Sequence, residues 1–308
     1  METITARKSS RFQGDATVYL IPGDPVRNVR LPRMFDAVFE RFGIDAVLLP
    51  MQVSKRDFAV FFKAAFLARN VGGMIIAPPH KPLVIDLLDA CGLAGRIAGS
   101  VNVVRRTTNN ALEGDLFDGD GLLDALDHYA MPYRGKRALV LGAGTTAAAI
   151  GTALVEGGAT NGVAHIAFYD TAPGKAERVA AKLDSFFAAD VVAAGSNAPE
   201  GYDLVINATT SGLSEDDPVP FDVARMDAGA ALFDTLLRNQ PTPLVRAARA
   251  RGLHAQAGFE MLIQQMPHYL RHFGHEAAAE ELQEDADFLR ELIYPPSMQG
   301  EIAKPYFS

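Results

Sequence analysis

One stretch limits what this chain can fold into. Ala138-Leu139-Val140-Leu141 is an apolar run that ends in Gly142-Ala143-Gly144, and the alanine-rich segment from Thr145 follows it. Gly142-x-Gly144-x-x-Ala147 has the spacing of a dinucleotide-binding turn between a strand and a helix. In such a turn Gly142 permits the tight bend, Gly144 lets the backbone approach a pyrophosphate, and Ala147 lets the helix pack closely on the strand. The free N–H groups and positive dipole end of the helix face the phosphates. A Gly-Ala-Gly turn before a helix also serves as a mere packing turn, so the neighbourhood must decide between the two.

The 308 residues suit one large or two medium domains. With 48% hydrophobic and 21% charged residues the composition is that of a globular protein. The net charge of −8, without a Lys/Arg block, argues against nucleic acid as a partner. A single cysteine, Cys91, rules out an internal disulfide and a cysteine-based zinc site, and fits a reducing cytoplasm. It lies in a helix-like apolar segment and reads as a buried spectator. No apolar run is long enough to span a membrane. Met1 to Gln13 lacks the apolar core of a secretory signal and reads as a frayed end.

Strand-like runs at Thr17–Ile21, Ile44–Val53 and Met74–Ala77 alternate with helical periodicity at Leu31–Phe42, Lys55–Asn70 and Leu83–Leu93. Two further strands are expected at Val101–Arg105 and Ala111–Phe117. Asp118-Gly119-Asp120-Gly121 then precedes a helix at Leu122–Tyr129, with Asp120 as its cap. From Ala138 the alternation is more regular, with strands at 163–169, 190–193, 203–208 and 230–234. Helices are expected at 175–187 and 244–251, then at Met261–Phe273 and Glu276–Ile293. This pattern predicts an α/β protein with open, largely parallel sheets. It favours the cofactor reading of the glycine turn. The tail to Ser308 shows no periodicity and reads as loose or docked on a partner chain.

The second strand of a dinucleotide-binding unit often ends in an acid that holds the ribose hydroxyls. Here Tyr169-Asp170-Thr171 stands some two dozen residues after Gly144. Asp170 would accept hydrogen bonds from the 2′-hydroxyl of NAD and repel the 2′-phosphate of NADP. An acid at this place can also simply cap the next turn, and Lys175 and Arg178 lie close enough to reach a phosphate. NAD is therefore the expected cofactor, with NADP disfavoured.

Several motifs stand in one order: Pro78-Pro79-His80-Lys81, Gly99-Ser100-Val101-Asn102, Gly114-Asp115-Leu116-Phe117-Asp118-Gly119, Gly142-Ala143-Gly144, Asn207-Ala208-Thr209-Thr210-Ser211-Gly212-Leu213, Phe233-Asp234 with Thr242-Pro243, and Gly258-Phe259-Glu260-Met261-Leu262-Ile263-Gln264-Gln265. Over about residues 17–275 the chain resembles the shikimate/quinate dehydrogenase family. The resemblance implies an N-terminal α/β substrate domain completed by C-terminal helices, and a Rossmann-type NAD(P)-binding domain between them. We place these at 1–118, 258–308 and 119–257 respectively. It implies a catalytic pair, Lys81 and Asp118, that serves a substrate hydroxyl while hydride moves to or from nicotinamide, a chemistry of the kind that serves aromatic amino acid biosynthesis. It assigns substrate contacts to the positions of Val29, Leu31, Ala77, Asn102, Leu237 and Gln265. Cofactor contacts fall on Gly142, Ala143, Gly144, Thr145, Thr146, Asp170, Asn207, Ala208, Thr209 and Gly258.

The chain departs from the family pattern where the substrate is held. Two serines that grip the substrate carboxylate in the family fall on Val29 and Leu31. The threonine before the lysine falls on Ala77, an asparagine on Leu116, and a tyrosine on Leu237. A carboxylate is costly to desolvate without donors, so these positions predict a cyclic or otherwise compact hydroxy substrate other than shikimate. Arg27 or Arg30 could bind an acid from a new direction, or be solvated. The arginines typical of NADP-using members are replaced by Ala147-Ala148-Ala149 and Tyr169-Asp170-Thr171. Two other readings stay open: a genuine quinate/shikimate dehydrogenase with a rebuilt carboxylate site, and an NAD-binding regulator without turnover. His268, His272 and His275 have helical spacing but lack a completing acid or cysteine, so no metal is expected. Glu280, Glu281, Glu284 and Asp285 read as a solvated face. A homo-oligomer is compatible with all of this.

Overall fold

The structure is a computed structural model that describes residues 14–27, 29–157 and 161–302. The expected frayed start lies outside them. The first half runs β1 (Thr17–Gly23), α1 (Leu31–Arg41), β2 (Ala46–Gln52), α2 (Phe58–Ala65), β3 (Val71–Ile75), 3₁₀ turns at Lys81–Leu83 and Ile85–Leu87, β4 (Ala90–Cys91), α3 (Leu93–Ala98), β5 (Val103–Arg106), β6 (Leu112–Asp115) and α4 (Asp118–His128). Pro32 in the first turn of α1 starts it cheaply, and Met34, Phe35, Val38 and Phe39 bury one face at three- and four-residue spacing.

This sheet has the order β2-β1-β3-β5-β6-β4 and is mixed rather than largely parallel, because β5 runs antiparallel to both β3 and β6. The expected helix over Leu83–Leu93 does not form. The Asp89 carboxylate and backbone carbonyl-bonding N–H tie that residue to Leu112, and the Gly92 N–H donates to Gly114, so the segment joins the sheet as β4. Cys91 accordingly sits on a strand, half-buried. Burial and Asp115 push its thiol up to about 11, which keeps it protonated. Helix α2 is also shorter than its periodicity. Arg106 Nη2 donates to the carbonyls of Phe66 and Ala68 at 2.6 and 2.9 Å, and so satisfies acceptors that a longer helix would have used. Helix α4 begins at Asp118, four residues early, which places Asp118 and Asp120 in its first turn and leaves Asp120 no capping role.

The second half runs β7 (Arg137–Leu141), α5 (Thr145–Glu156), β8 (His165–Tyr169), α6 (Lys175–Phe186), β9 (Val191–Ala193), β10 (Leu204–Asn207), β11 (Ala231–Asp234), α7 (Pro243–Ala250) and β12 (His254–Ala257). Its sheet is parallel throughout, in the order β12-β11-β10-β7-β8-β9. That is the doubly wound order in which ligands lie beyond the strand ends where β7 and β10 separate.

Three helices follow: α8 (Phe259–His272), α9 (Glu276–Glu284) and α10 (Asp287–Ile293). Met261 of α8 joins the core of the second sheet, but most of their buried apolar side chains turn to the first. Phe259, Ile263, Met266, Tyr269 and Leu270 share a core with Tyr19, Phe35 and Phe39 of the first. The single helix expected over 276–293 is broken at Asp285, whose backbone is extended and whose carboxylate accepts the Asp287 N–H at 3.0 Å, starting α10 afresh. As far as residue 302 the tail packs on its own chain: Met298 is buried, and Glu301 pairs with Arg249 at 2.8 Å; the rest of the tail lies outside the described residues. Glu280, Glu281, Glu284 and Asp285 are exposed as expected. Among the described residues no helix is long and apolar enough to cross a membrane.

Burial lowers the titration of His80, His128, His254, His272 and His275, and takes His254 to about 4. These rings stay neutral in the fold, whereas the unfolded chain binds protons below about 6.5. Their contribution to stability is therefore complete above pH 6.5 and is lost as the pH falls toward 4. Asp234 acts oppositely, since burial raises it to about 6, and Asp120 is raised too. Five groups outweigh two, so Tm should fall by about 3–5 °C between pH 7.5 and pH 5. Thermal unfolding across this range, with a smaller fall in His254→Gln, checks it.

Candidate active site

The loop after β3 delivers Lys81. His80 anchors that loop: its ring is fully buried, stacks on Phe58 at 4.4 Å and donates from Nε2 to the Val53 carbonyl at 2.8 Å. Lys81 heads a 3₁₀ turn, and its own carbonyl accepts the Val101 N–H. Asp118 comes from the first turn of α4, where the helix dipole favours a carboxylate. The two meet with Lys81 Nζ at 3.0 Å from Asp118 Oδ2 and 3.3 Å from Oδ1. Their side chains are 17% and 11% exposed, so water reaches the pair without flooding it.

Asn102 precedes β5 and is buried behind this pair. Its Oδ1 accepts the Phe117 N–H at 3.1 Å, which fixes which way the amide points. Its Nδ2 faces Asp118 Oδ2 at 3.3 Å, Gln265 Oε1 at 3.4 Å and the Tyr269 hydroxyl at 3.0 Å. Tyr269 donates to Gln265 Oε1 at 2.7 Å. Complete burial, with the Asp118 charge nearby, holds the Tyr269 phenol well above its usual titration, so it acts as a fixed donor. Tyr269 was not apparent as a site residue in the sequence. Its signal is position: it lies one helical turn after Gln265 on α8.

Lys81, Asp118, Val29, Leu31, Ala77, Asn102, Leu237 and Gln265 all line one chamber of about 300 Å3. Six of these come from the first half, one from the β11–α7 connection and one from α8, so only the packed chain assembles them. Thr146 and Gly258 line it too, which joins the helix start of the glycine turn to the Lys81 chamber. Leu116 is fully buried and does not line it.

The glycine turn has the shape that a dinucleotide needs. Gly142 has φ +97°, and a Cβ there would lie 2.8 Å from the Ala208 carbonyl oxygen, whereas one on Gly144 would meet only open space. Helix α5 starts without a side-chain cap, so its first N–H groups are available. Gly142, Gly144, Asp170, Ala208 and Thr209 line a chamber of about 580 Å3. Ala143 and Thr145 face a separate recess with Arg178 and Lys182. These residues fit a bound nicotinamide dinucleotide.

Asp170 caps the turn after β8 and also lines the chamber. Oδ2 accepts the Ala143 N–H at 2.9 Å, and Oδ1 accepts the Ala172 N–H at 2.8 Å. Against a desolvation that would raise it, these donors and Lys175 hold the carboxylate below its usual range. Each carboxylate oxygen has capacity for a further hydrogen bond. Asn207 differs from expectation. Strand β10 turns its side chain inward, where it accepts from the Thr209 N–H and hydroxyl and donates to the Ser211 carbonyl and Asp234. It shapes the 208–211 loop rather than facing the chamber. The three histidines singled out in the sequence are engaged separately: His268 with Asp124, His272 with the Glu113 carbonyl and His275 with Tyr19.

Residues 21–104 match the family of the shikimate dehydrogenase substrate binding domain. A shikimate dehydrogenase (NADP(+)) of Acidiphilium cryptum is 35% identical over 265 residues, covering 85% of this chain and 92% of the relative. The ligand-free 5-ketofructose reductase of a Gluconobacter species superposes with a TM-score of 0.76 at 27% identity, over 87% of this chain and 98% of that one. At 21% identity, and so for the fold alone, the shikimate 5-dehydrogenase of Listeria monocytogenes superposes with a TM-score of 0.78 over 90% of this chain and 98% of that one. With a Rossmann-type domain, a substrate domain closed by C-terminal helices, and this match over most of its length, the chain belongs to the shikimate dehydrogenase family and is a nicotinamide-dependent oxidoreductase acting on a CH–OH group.

Proposed function

We propose that this dehydrogenase uses NAD and acts on a compact hydroxy compound other than shikimate, with Lys81 and Asp118 handling the hydroxyl proton. The observation that carries the reading is the contrast within one chamber. Lys81, Asp118, Asn102 and Gln265 form a connected polar wall, while Val29, Leu31, Ala77 and Leu237 face it with apolar side chains. A bare carboxylate set against four apolar groups would lose its hydration without gaining donors. That the fold serves other substrates is in keeping with the relative named a 5-ketofructose reductase.

When bound, the nicotinamide supplies the hydride acceptor or donor. The chain's own residues handle the proton. An alcohol can lose hydride from carbon only as its O–H proton leaves, so an acceptor must lie within hydrogen-bond reach. Lys81 Nζ has three hydrogen sites and, among the described residues, Asp118 as its one side-chain partner, which leaves hydrogen sites for a ligand in the chamber. Asn102 and Tyr269 keep the carboxylate aimed. The division into 1–118, 119–257 and 258–308 belongs to the same proposal and is supported by the shared core of α8–α10 with β1 and α1.

The curated relative is named for NADP(+), whereas the residues here favour NAD. Asp170, an acid at the end of β8 that lines the chamber, supports this, since an acid there binds ribose hydroxyls and repels a 2′-phosphate. A second reading, a genuine shikimate or quinate dehydrogenase, is favoured by that relative's name. Initial rates of nicotinamide reduction separate the two. We expect kcat/KM at least about tenfold higher with NAD than with NADP, and weak turnover of shikimate and quinate within a panel of cyclic hydroxy compounds. Efficient oxidation of shikimate would overturn the substrate reading, and equal rates with NADP the cofactor reading.

A further inference from the structure

The Lys81 chamber opens into a larger one of about 1110 Å3, and Val29, Arg30, Pro78, Thr146 and Leu237 line both. The outer chamber has an unusual charge for a chain of net −8. Arg27, Arg30, Arg33 and Arg238 line it, and among the described residues no aspartate or glutamate does. Arg238 is neutralised by Glu215 at 2.9 Å and by the Gly212 carbonyl. Arg30 is different. Its guanidinium packs over the buried Phe259 ring at 5.1 Å, and its side-chain partner is neutral, Asn239 Oδ1 at 3.4 Å. Burial and the neighbouring Arg33 both disfavour its charge.

The placement follows from local structure. Arg30 is the N-cap residue of α1, and Arg33 lies in its first turn. Positive charges there oppose the helix dipole, and two like charges three residues apart repel. Helix stability does not explain them. A half-buried guanidinium without a carboxylate, at the mouth of a substrate chamber, matches the recognition of an oxyanion, which arginine binds through two parallel N–H donors. The same short segment gives Leu31 to the inner chamber, Arg27 and Arg33 to the outer one, and Val29 and Arg30 to the boundary that both share.

We propose that the substrate carries an oxyanion group, a carboxylate or a phosphate ester, at the end remote from its reacting hydroxyl, and that Arg30, assisted by Arg27 and Arg33, binds it in the outer chamber. The assignment rests on Lys81 and Asp118 as the reacting end. It makes the substrate longer than one confined to the inner chamber and moves its acid group from the inner wall to the mouth.

The test uses the full chain with NAD and matched compounds: polyols, their phosphate esters and the corresponding hydroxy acids. The acid-bearing member of a pair should have kcat/KM about tenfold or more above its neutral partner. Phosphate and carboxylate members identify which oxyanion is used. Arg30→Ala should remove most of that advantage through KM, and Arg30→Lys should restore part of it. Inorganic phosphate supplies a readout that needs no substrate. By calorimetry it should bind the wild-type protein, more weakly at high salt, and bind Arg30→Ala/Arg33→Ala at least about tenfold more weakly. Equal kcat/KM for neutral and acidic members, equal phosphate binding by the variant, or displacement of phosphate by NAD would each overturn the proposal. Efficient shikimate oxidation that Arg30→Ala leaves unchanged would overturn it together with the substrate reading above. The same oxidation with KM raised in Arg30→Ala would overturn the substrate reading alone.

Discussion

Lys81→Met should abolish turnover while leaving the fold and NAD binding in place. General acid–base groups contribute on the order of 10²–10⁴ in rate, and the methionine also removes the cation beside Asp118, so a loss in kcat of at least about 10³ is expected. The fold should survive, because Asp118 is 11% exposed and keeps its Asn102 donor, which leaves its charge partly solvated. Asp118→Asn should lose about 10² or more by the same measure. Its amide cannot take a proton and would turn an N–H toward Lys81 or Asn102. NAD binding, followed by calorimetry, should be unchanged in both variants, since the glycine turn draws on other residues. Full turnover in Lys81→Met would sink the assignment. NAD binding by the wild-type protein with no turnover across a broad panel would point instead to a regulator.

Arg290→Met should cost about 3–5 kcal/mol, the penalty for leaving a buried charge without its partner. Glu260 is completely buried. Its carboxylate accepts from Arg290 Nη2 at 2.6 Å and Nε at 3.1 Å, and from Gln264 Nε2 at 2.7 Å. Against a burial that disfavours its charge, Glu260 and Asp287 hold Arg290 firmly protonated. Without the guanidinium, Glu260 keeps the Gln264 amide, a long 3.5 Å hydrogen bond from the Tyr294 hydroxyl, and His128 at 3.9 Å, and none of these replaces it. Tm should fall on the order of 10 °C. The double variant Glu260→Gln/Arg290→Met should recover much of this loss, because replacing both members removes the uncompensated charge. A double-mutant cycle by denaturant unfolding measures the coupling, and additive losses would refute it. The pair ties α10 to α8, the helix that carries Gln265 and Tyr269, so KM should rise as stability falls.

Much of the second half was legible because its rules are local. Runs such as Leu139–Leu141 and Leu232–Phe233 bury both faces of a parallel strand and stand out by hydrophobicity alone. Strand β12 escaped notice. His254-Ala255-Gln256-Ala257 has no β-branched residue and becomes a strand only by pairing with β11. The segment Leu83–Leu93 erred in the opposite sense. Its helical periodicity lost to hydrogen bonds made with Leu112 and Gly114, more than twenty residues away, which a local pattern does not encode.

The site divides along the same line. Sequence alone determined the parts whose chemistry is written in residue type and short spacing: the glycine turn at Gly142 and Gly144, the acid at Asp170, and the retained Lys81, Asp118, Asn102 and Gln265. It also marked Val29, Leu31, Ala77 and Leu237 as departures from the family pattern. Tertiary structure decided how these act together. It turned Asn207 inward, added Tyr269 to the polar wall, and gave Asp170 two backbone donors to hold as well as a chamber to face. It also set Arg30 at the mouth of the chamber, over Phe259. The physical reason is distance along the chain. Asn102 meets Tyr269, and Arg30 meets Phe259, only after the C-terminal helices have packed back onto the first sheet, and burial there settles which charges are paired, which are solvated and which are left for a ligand.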